Sequence, residues 1–180
     1  MKRIDEYTPG VPSTAAIARH PIHPMLVVFP LAFLVTVLLT DLGYLWTTDP
    51  FWARVSLWLI GAGFATGVLA ALFGLIDFLT IRRARSHAAG WIHFLGNDTA
   101  LGLALMNSLV RMDDAAAAVF PWGITLSAVT VALLIITGWY GGKLSYYYKI
   151  GVFGDKQKLE TSMPHPGRLR EPNGHDLHVH

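Results

Sequence analysis

Residues 20–46 read HPIHPMLVVFPLAFLVTVLLTDLGYLW. From position 25 to position 46 the only charged side chain is Asp41. A helix needs about 20 mostly apolar residues to cross the hydrocarbon core of a bilayer, so this stretch predicts a transmembrane helix. Working outward, three more stretches of the same kind follow at residues 52–81, 88–110 and 119–140. All four are too apolar for surface helices, which carry a single apolar stripe, and none alternates as a membrane β-strand does. The connections TTDPF, RRARSH and RMDDAAA are short, and short connections force neighbouring helices to run antiparallel. The expected fold class is all-α: a polytopic membrane protein with a four-transmembrane-helix up-down bundle at residues 23–153. Residues 1–22 read as a cytoplasmic N-terminal segment and residues 154–180, rich in Pro, Gly and His, as a mobile polar tail. No internal repeat is legible in the residue types.

Composition points the same way. Hydrophobic residues make up 53% of the 180 and charged residues 14%, against roughly 25% charged in soluble domains. So few charges cannot cover a soluble surface. A cytosolic enzyme domain, a disordered chain and a nucleic-acid binder are excluded. The sequence contains no cysteine, which removes disulfides, zinc–thiolate sites, cysteine-ligated clusters and thiol catalysis. The polar, proline-spaced start of the chain does not read as a cleavable signal peptide.

Lys2, Arg3 and Arg19 precede the first apolar helix, Arg82, Arg83 and Arg85 fill the middle connection, and Lys143 and Lys149 follow the fourth helix. An excess of Lys and Arg marks the cytoplasmic side, so both termini are expected there. In the second helix Gly63, Gly67 and Gly74, with Ala71, predict a close helix–helix seam. Pro30 cannot donate to the carbonyl of Leu26 and predicts a kink.

Several polar residues stand where an apolar one would cost less. His20 and His23 sit in a proline-stiffened elbow at the start of helix one, and His93 lies about five residues inside helix three. Asn97 is one turn deeper on the face of His93. Asp77 closes helix two on the same side of the membrane. His20, His23, Asp77, His93 and Asn97 are therefore expected to converge at one depth. Ionisable groups inside a membrane are functional candidates, although two prolines and two histidines at a helix start also make a purely structural cap. Asp98 falls about 140° around the helix from His93, and its carboxyl is expected to be protonated or bonded to a hydroxyl of a neighbouring helix, with Thr36, Ser127 and Thr130 as candidates. Asp41 lies toward the opposite face and is expected to pair with Arg54. His175, His178 and His180 in the tail are loose metal-capturing residues at most.

HPIHPMLVVFPLAF, then GLIDFL, then His93 with Asn97, then GWYGGKLSYYYKIGV together resemble a bacterial family of four-helix membrane proteins labelled domain of unknown function 2231. The resemblance covers roughly residues 19–153 and matches His20, His23, Asp77, His93, Asn97 and Gly142. It implies the bacterial inner (plasma) membrane. Some relatives are joined to Rieske-type iron–sulfur domains, which implies an electron-transfer setting; no such domain stands in these 180 residues.

Two functions follow. In the first, His23 and His93, with His20 as an alternative ligand, hold a b-type haem or a divalent metal, and Asp77 orients an imidazole as carboxylates near metals do. A redox partner protein would then be required. A transmembrane pair of haems is disfavoured, because no histidine occurs between His93 and His165. In the second, the chain is a small transporter, channel or accessory subunit without cofactor. Asp98, Asn97 and Asn107 then line a polar path, and a homo-oligomer supplies the missing helices. No nucleophile–base pair supports hydrolysis.

Overall fold

The computed structural model describes residues 10–152. Four long helices dominate them: α2 (Val28–Thr47), α3 (Pro50–Thr80), α5 (Ala88–Val110) and α6 (Ile124–Gly142). Two short ones, α1 (Ile22–Leu26) and α4 (Arg82–Arg85), precede α2 and α5. Each long helix packs on the next in chain order, and α6 returns to α2, so the four close into a ring.

Among the described residues, three helical stretches are long and apolar enough to cross a membrane. They are Ile22–Thr47, Pro50–Thr80 and Val119–Tyr147, with mean hydropathies of 2.4, 2.2 and 2.2. The fourth span expected from the sequence is not matched in the same way. Helix α5 has the length, at 23 residues, but not the apolarity. Its polar residues include His93, Asn97, Asp98 and Asn107.

Local chemistry sets the helix boundaries. Asp49 Oδ1 accepts the Phe51 amide at 2.8 Å, and Pro50 fills the first helical position of α3, where its missing N–H costs nothing. Close to Pro30, where a kink is expected, the regular helix is interrupted at Val27, between α1 and α2. The glycine seam is present with one amendment. Gly63 faces Leu34, Gly67 faces Pro30 and Leu101, and Gly74 faces His23, while Ala71 is exposed and Ala70 takes the buried position.

The segment before α1 straps the end of the bundle. Strands β1 (Ala16–Ile17) and β2 (His20–Pro21) form a small hairpin. Ala18 and Arg19 make its turn with φ of 48° and 67°, the conformation a two-residue hairpin turn requires. Upstream, the Val11 amide donates to Lys149 O at 2.8 Å and the Gly151 amide donates to Val11 O at 2.8 Å.

The residue types conceal a repeat that the geometry displays. On α2 the buried positions Pro30, Leu34, Val37 and Asp41 correspond, 70 residues on, to buried Ala100, Ala104, Asn107 and Arg111. On α3 buried Ser56, Ile60, Gly63 and Ala70 correspond, 67 residues on, to buried Gly123, Ser127, Thr130 and Thr137 on or beside α6. The bundle is thus two helical hairpins, α2–α3 and α5–α6, built to one inward pattern. Substitutions such as Leu34 against Ala104 and Val37 against Asn107 hide that pattern from a reading of the sequence.

Candidate functional site

Two clusters of polar side chains lie between the helices, one at each end of the ring. At the end carrying the strap, His23 and His93 approach each other with ring centroids 6.1 Å apart and planes at 89°. Each imidazole is seated in the same way. His23 Nδ1 lies 2.9 Å from Ala70 O, and His93 Nδ1 lies 2.9 Å from Thr137 O. A carbonyl only accepts, so Nδ1 carries the hydrogen in both rings and a neutral ring keeps its Nε2 lone pair. Four residues after each of those carbonyls stands a glycine, Gly74 or Gly141. In a helix every Cα–Cβ bond tilts toward the N-terminus, so a side chain at that position would overhang the carbonyl. A Cβ on Gly74 would fall 2.9 Å from His23 Nδ1, and one on Gly141 would fall 2.9 Å from His93 Nδ1. The glycines leave room for the imidazoles.

Asn97 and Thr137 brace the second seat. Asn97 Nδ2 donates to His93 O at 2.6 Å, and Thr137 Oγ1 donates to Asn97 Oδ1 at 3.2 Å.

Three other residues expected at the site are placed differently. Asp77 does not orient an imidazole. Its Oδ2 accepts from Ser13 Oγ at 2.6 Å, and its Oδ1 accepts from the amides of Thr14 and Ala15 at 2.8 and 2.9 Å. Two backbone donors and a hydroxyl satisfy the carboxylate, which clamps the strap to the end of α3. His20 is exposed in the hairpin with Nδ1 3.0 Å from Ala18 O. Asp98 lies on the outer face of α5, exposed, with no hydrogen bond or ion pair to another described residue. The hydroxyls expected to reach it are engaged elsewhere: Thr36 on Ala32 O, Thr130 on Leu126 O and Ser127 in the second cluster. Asp98, Asn97 and Asn107 therefore do not line one path. The described residues contain no group of three or more His, Asp or Glu side chains that could hold a metal ion, and His20 and Asp77 do not join His23 and His93 in one site. The tail histidines lie outside the described residues.

The second cluster is one that the sequence reading assigned wrongly. Asp41 pairs with Arg111, not Arg54. Arg111 Nη1 and Nη2 reach the two carboxylate oxygens at 2.7 Å each, and both side chains have 0% exposure. Arg111 Nε donates to Asn107 Oδ1 at 2.8 Å, and Ser127 Oγ donates to Asp41 Oδ2 at 2.7 Å. Gly123 seats the guanidinium, since a Cβ there would fall 2.6 Å from Nη2. Next to the cluster, Asn107, Ser127 and Thr130 line a void of about 10 Å³ with four apolar side chains, close to the space one water needs. Asp41 and Arg111 are 18 residues beyond His23 and His93 respectively. That spacing of five helical turns could have flagged the pairing.

The family model for predicted membrane proteins with domain DUF2231 matches residues 19–154. The chain belongs to that family. No curated protein and no solved structure matches it. Of the two clusters in this DUF2231 protein, only the histidine pair keeps unused ligand atoms.

Proposed function

We propose that this DUF2231 chain is a four-span module of the bacterial inner membrane in which His23 and His93 would hold a b-type haem. The observation that carries the reading is the matched seating of the rings. Histidines that ligate a metal characteristically donate their other ring N–H to a carbonyl or carboxylate, which fixes the tautomer and the aim of the ring. Both Nδ1 atoms are held in that way. The two ring centroids are 6.1 Å apart, close enough for both imidazoles to reach one ion. Haem iron asks the protein for two ligands at most, whereas a divalent metal needs a third, which the described residues do not offer. Such a haem group would supply one-electron transfer.

Packing against α3 and α6 supports α5 as the fourth span, with its inward polar residues satisfied within the bundle. Arg19, Arg82, Arg85 and Lys143 lie in the segments at the histidine end, and the excess of basic residues there supports a cytoplasmic site with residues 1–22 and 154–180 on the same side. Absorbance of the purified protein after haem addition tests the proposal. A Soret band with a low-spin bis-imidazole spectrum is expected, and His23→Ala and His93→Ala should each remove that spectrum while His20→Ala keeps it. No Soret band in the native protein, or a band unchanged in both single variants, would end the haem reading.

A further inference from the structure

Asp98 stands eleventh in the 23 residues of α5, about 15 Å of rise from the start of the helix. On the reading of α5 as a membrane span, that depth is the hydrocarbon core. The carboxyl is exposed and has no partner among the described residues. Lipid chains offer it no hydrogen bond, and an unpaired polar group in hydrocarbon costs several kilocalories.

Its neighbours on the outer face follow a rule. Trp91, Leu95, Asp98, Gly102, Leu105 and Leu109 are all exposed and are spaced alternately four and three apart. That is the a/d seam of a two-helix coiled coil, with one polar residue in the row. Gly102, one turn beyond Asp98, has open space where a Cβ would stand, so another backbone can approach closely there.

We infer that this face of α5 is the interface between two copies of the chain, with Asp98 and Gly102 at its centre. The occupant is set by what Asp98 needs. All copies enter the membrane in one orientation, so two α5 helices meet in parallel about a two-fold axis and each seam position faces its own counterpart. A second copy therefore brings a carboxyl to the depth of Asp98. One proton shared between the two carboxyls converts repulsion into a hydrogen bond, as in other paired carboxylates. Thr99, beside Asp98 at the edge of the seam, places a second oxygen at the same level. A lipid brings neither group, and an unrelated helix would have to match both. The inference rests on α5 spanning the membrane; it does not depend on haem.

The chain has no cysteine, so single cysteines report cleanly. Leu95→Cys and Leu105→Cys, oxidised in native membranes, should give disulfide-linked dimers. Leu72→Cys, exposed on α3, should not. Asp98→Ala in the Leu105→Cys background should weaken self-association roughly 5- to 30-fold, the worth of a hydrogen bond between membrane helices, and Asp98→Asn should preserve it. Cross-linking at 95 and 105 no greater than at 72, or a dimer indifferent to Asp98→Ala, would overturn the interface. Asp98→Cys should resist a water-soluble maleimide. Rapid labelling there would overturn the span reading of α5 and the interface with it, whereas protection at 98 without cross-linking overturns the interface alone.

Discussion

The two ends of the bundle use the same positions for opposite purposes. At one end the equivalent positions of the two hairpins hold identical residues, His23 and His93; at the other they hold complementary ones, Asp41 and Arg111. The two imidazoles meet edge to face without opposite charges to draw them together, and each is anchored to the second helix of its own hairpin, by Ala70 O or Thr137 O. The ion pair does the reverse. It ties one hairpin directly to the other, and all its hydrogen-bonding atoms are used within the protein. One end is closed electrostatically. The other keeps two lone pairs in reserve.

The largest effects belong to the closed end. Arg111→Ala leaves the buried Asp41 carboxylate unpaired, and Asp41→Ala strands the guanidinium. Removing one partner of a buried pair costs about 3–5 kcal/mol, so each variant should lose most folded yield and melt far lower in detergent. Asp41→Leu combined with Arg111→Met removes both charges and should recover most of that loss. A double variant as unstable as the worse single one would mean that the network, and not the unpaired charge, holds this end together.

Next come the glycine seats, which test whether the hairpins are equivalent. Gly74→Ala and Gly141→Ala each place a methyl against an imidazole whose anchor is a backbone carbonyl. Overpacking of this kind costs about 1–3 kcal/mol, and the two melting temperatures should fall by similar amounts. A large effect at one glycine and none at the other would break the equivalence of the two seats.

Removing the imidazoles should be milder for the fold than removing the ion pair. His23→Ala and His93→Ala each free one carbonyl and remove a half-buried ring. A hydrogen bond contributes about 0.5–1.5 kcal/mol, and both variants should remain folded by thermal melting while losing the haem spectrum. The smallest change is expected at Asp77→Asn. It keeps the side-chain shape and weakens three hydrogen bonds to Ser13, Thr14 and Ala15. Faster hydrogen exchange at the amides of Thr14 and Ala15, with the haem spectrum retained, is the outcome to measure. Loss of that spectrum would join the strap to the histidine pair after all.

How much of this was legible depended on whether a local rule decided it. Long apolar runs and short connections placed four helices, since both signals lie within consecutive residues. Pro30 announced the interruption near Val27 for the same reason. His23 and His93 could be brought together from helix direction alone. Helix direction does not give the partner of Asp41: Arg54 and Arg111 stand at the same end of the bundle, and in the sequence only the equal 18-residue offsets of Asp41 and Arg111 from His23 and His93 separate them. The position of Asp98 relative to His93 followed from the 3.6-residue period, but the period does not say whether a neighbouring helix occupies that side. Depth along the helices groups Asp77 with the histidines, whereas residues 13–15, which donate to its oxygens, carry no periodic signal of their own.

Val11 lies hydrogen-bonded to Lys149 and Gly151, so the described chain leaves the bundle beside the point where it enters. Joining residue 152 to residue 10 through a short linker and opening the backbone between Arg85 and Ala88 would give a circular permutant, with α5–α6 first and α2–α3 second. Such a rearrangement is tolerated where termini lie close together. Both helical pairs would keep their original direction in the bundle, and the contacts across the ring would survive. Order along the chain is then a matter of where the ring was cut.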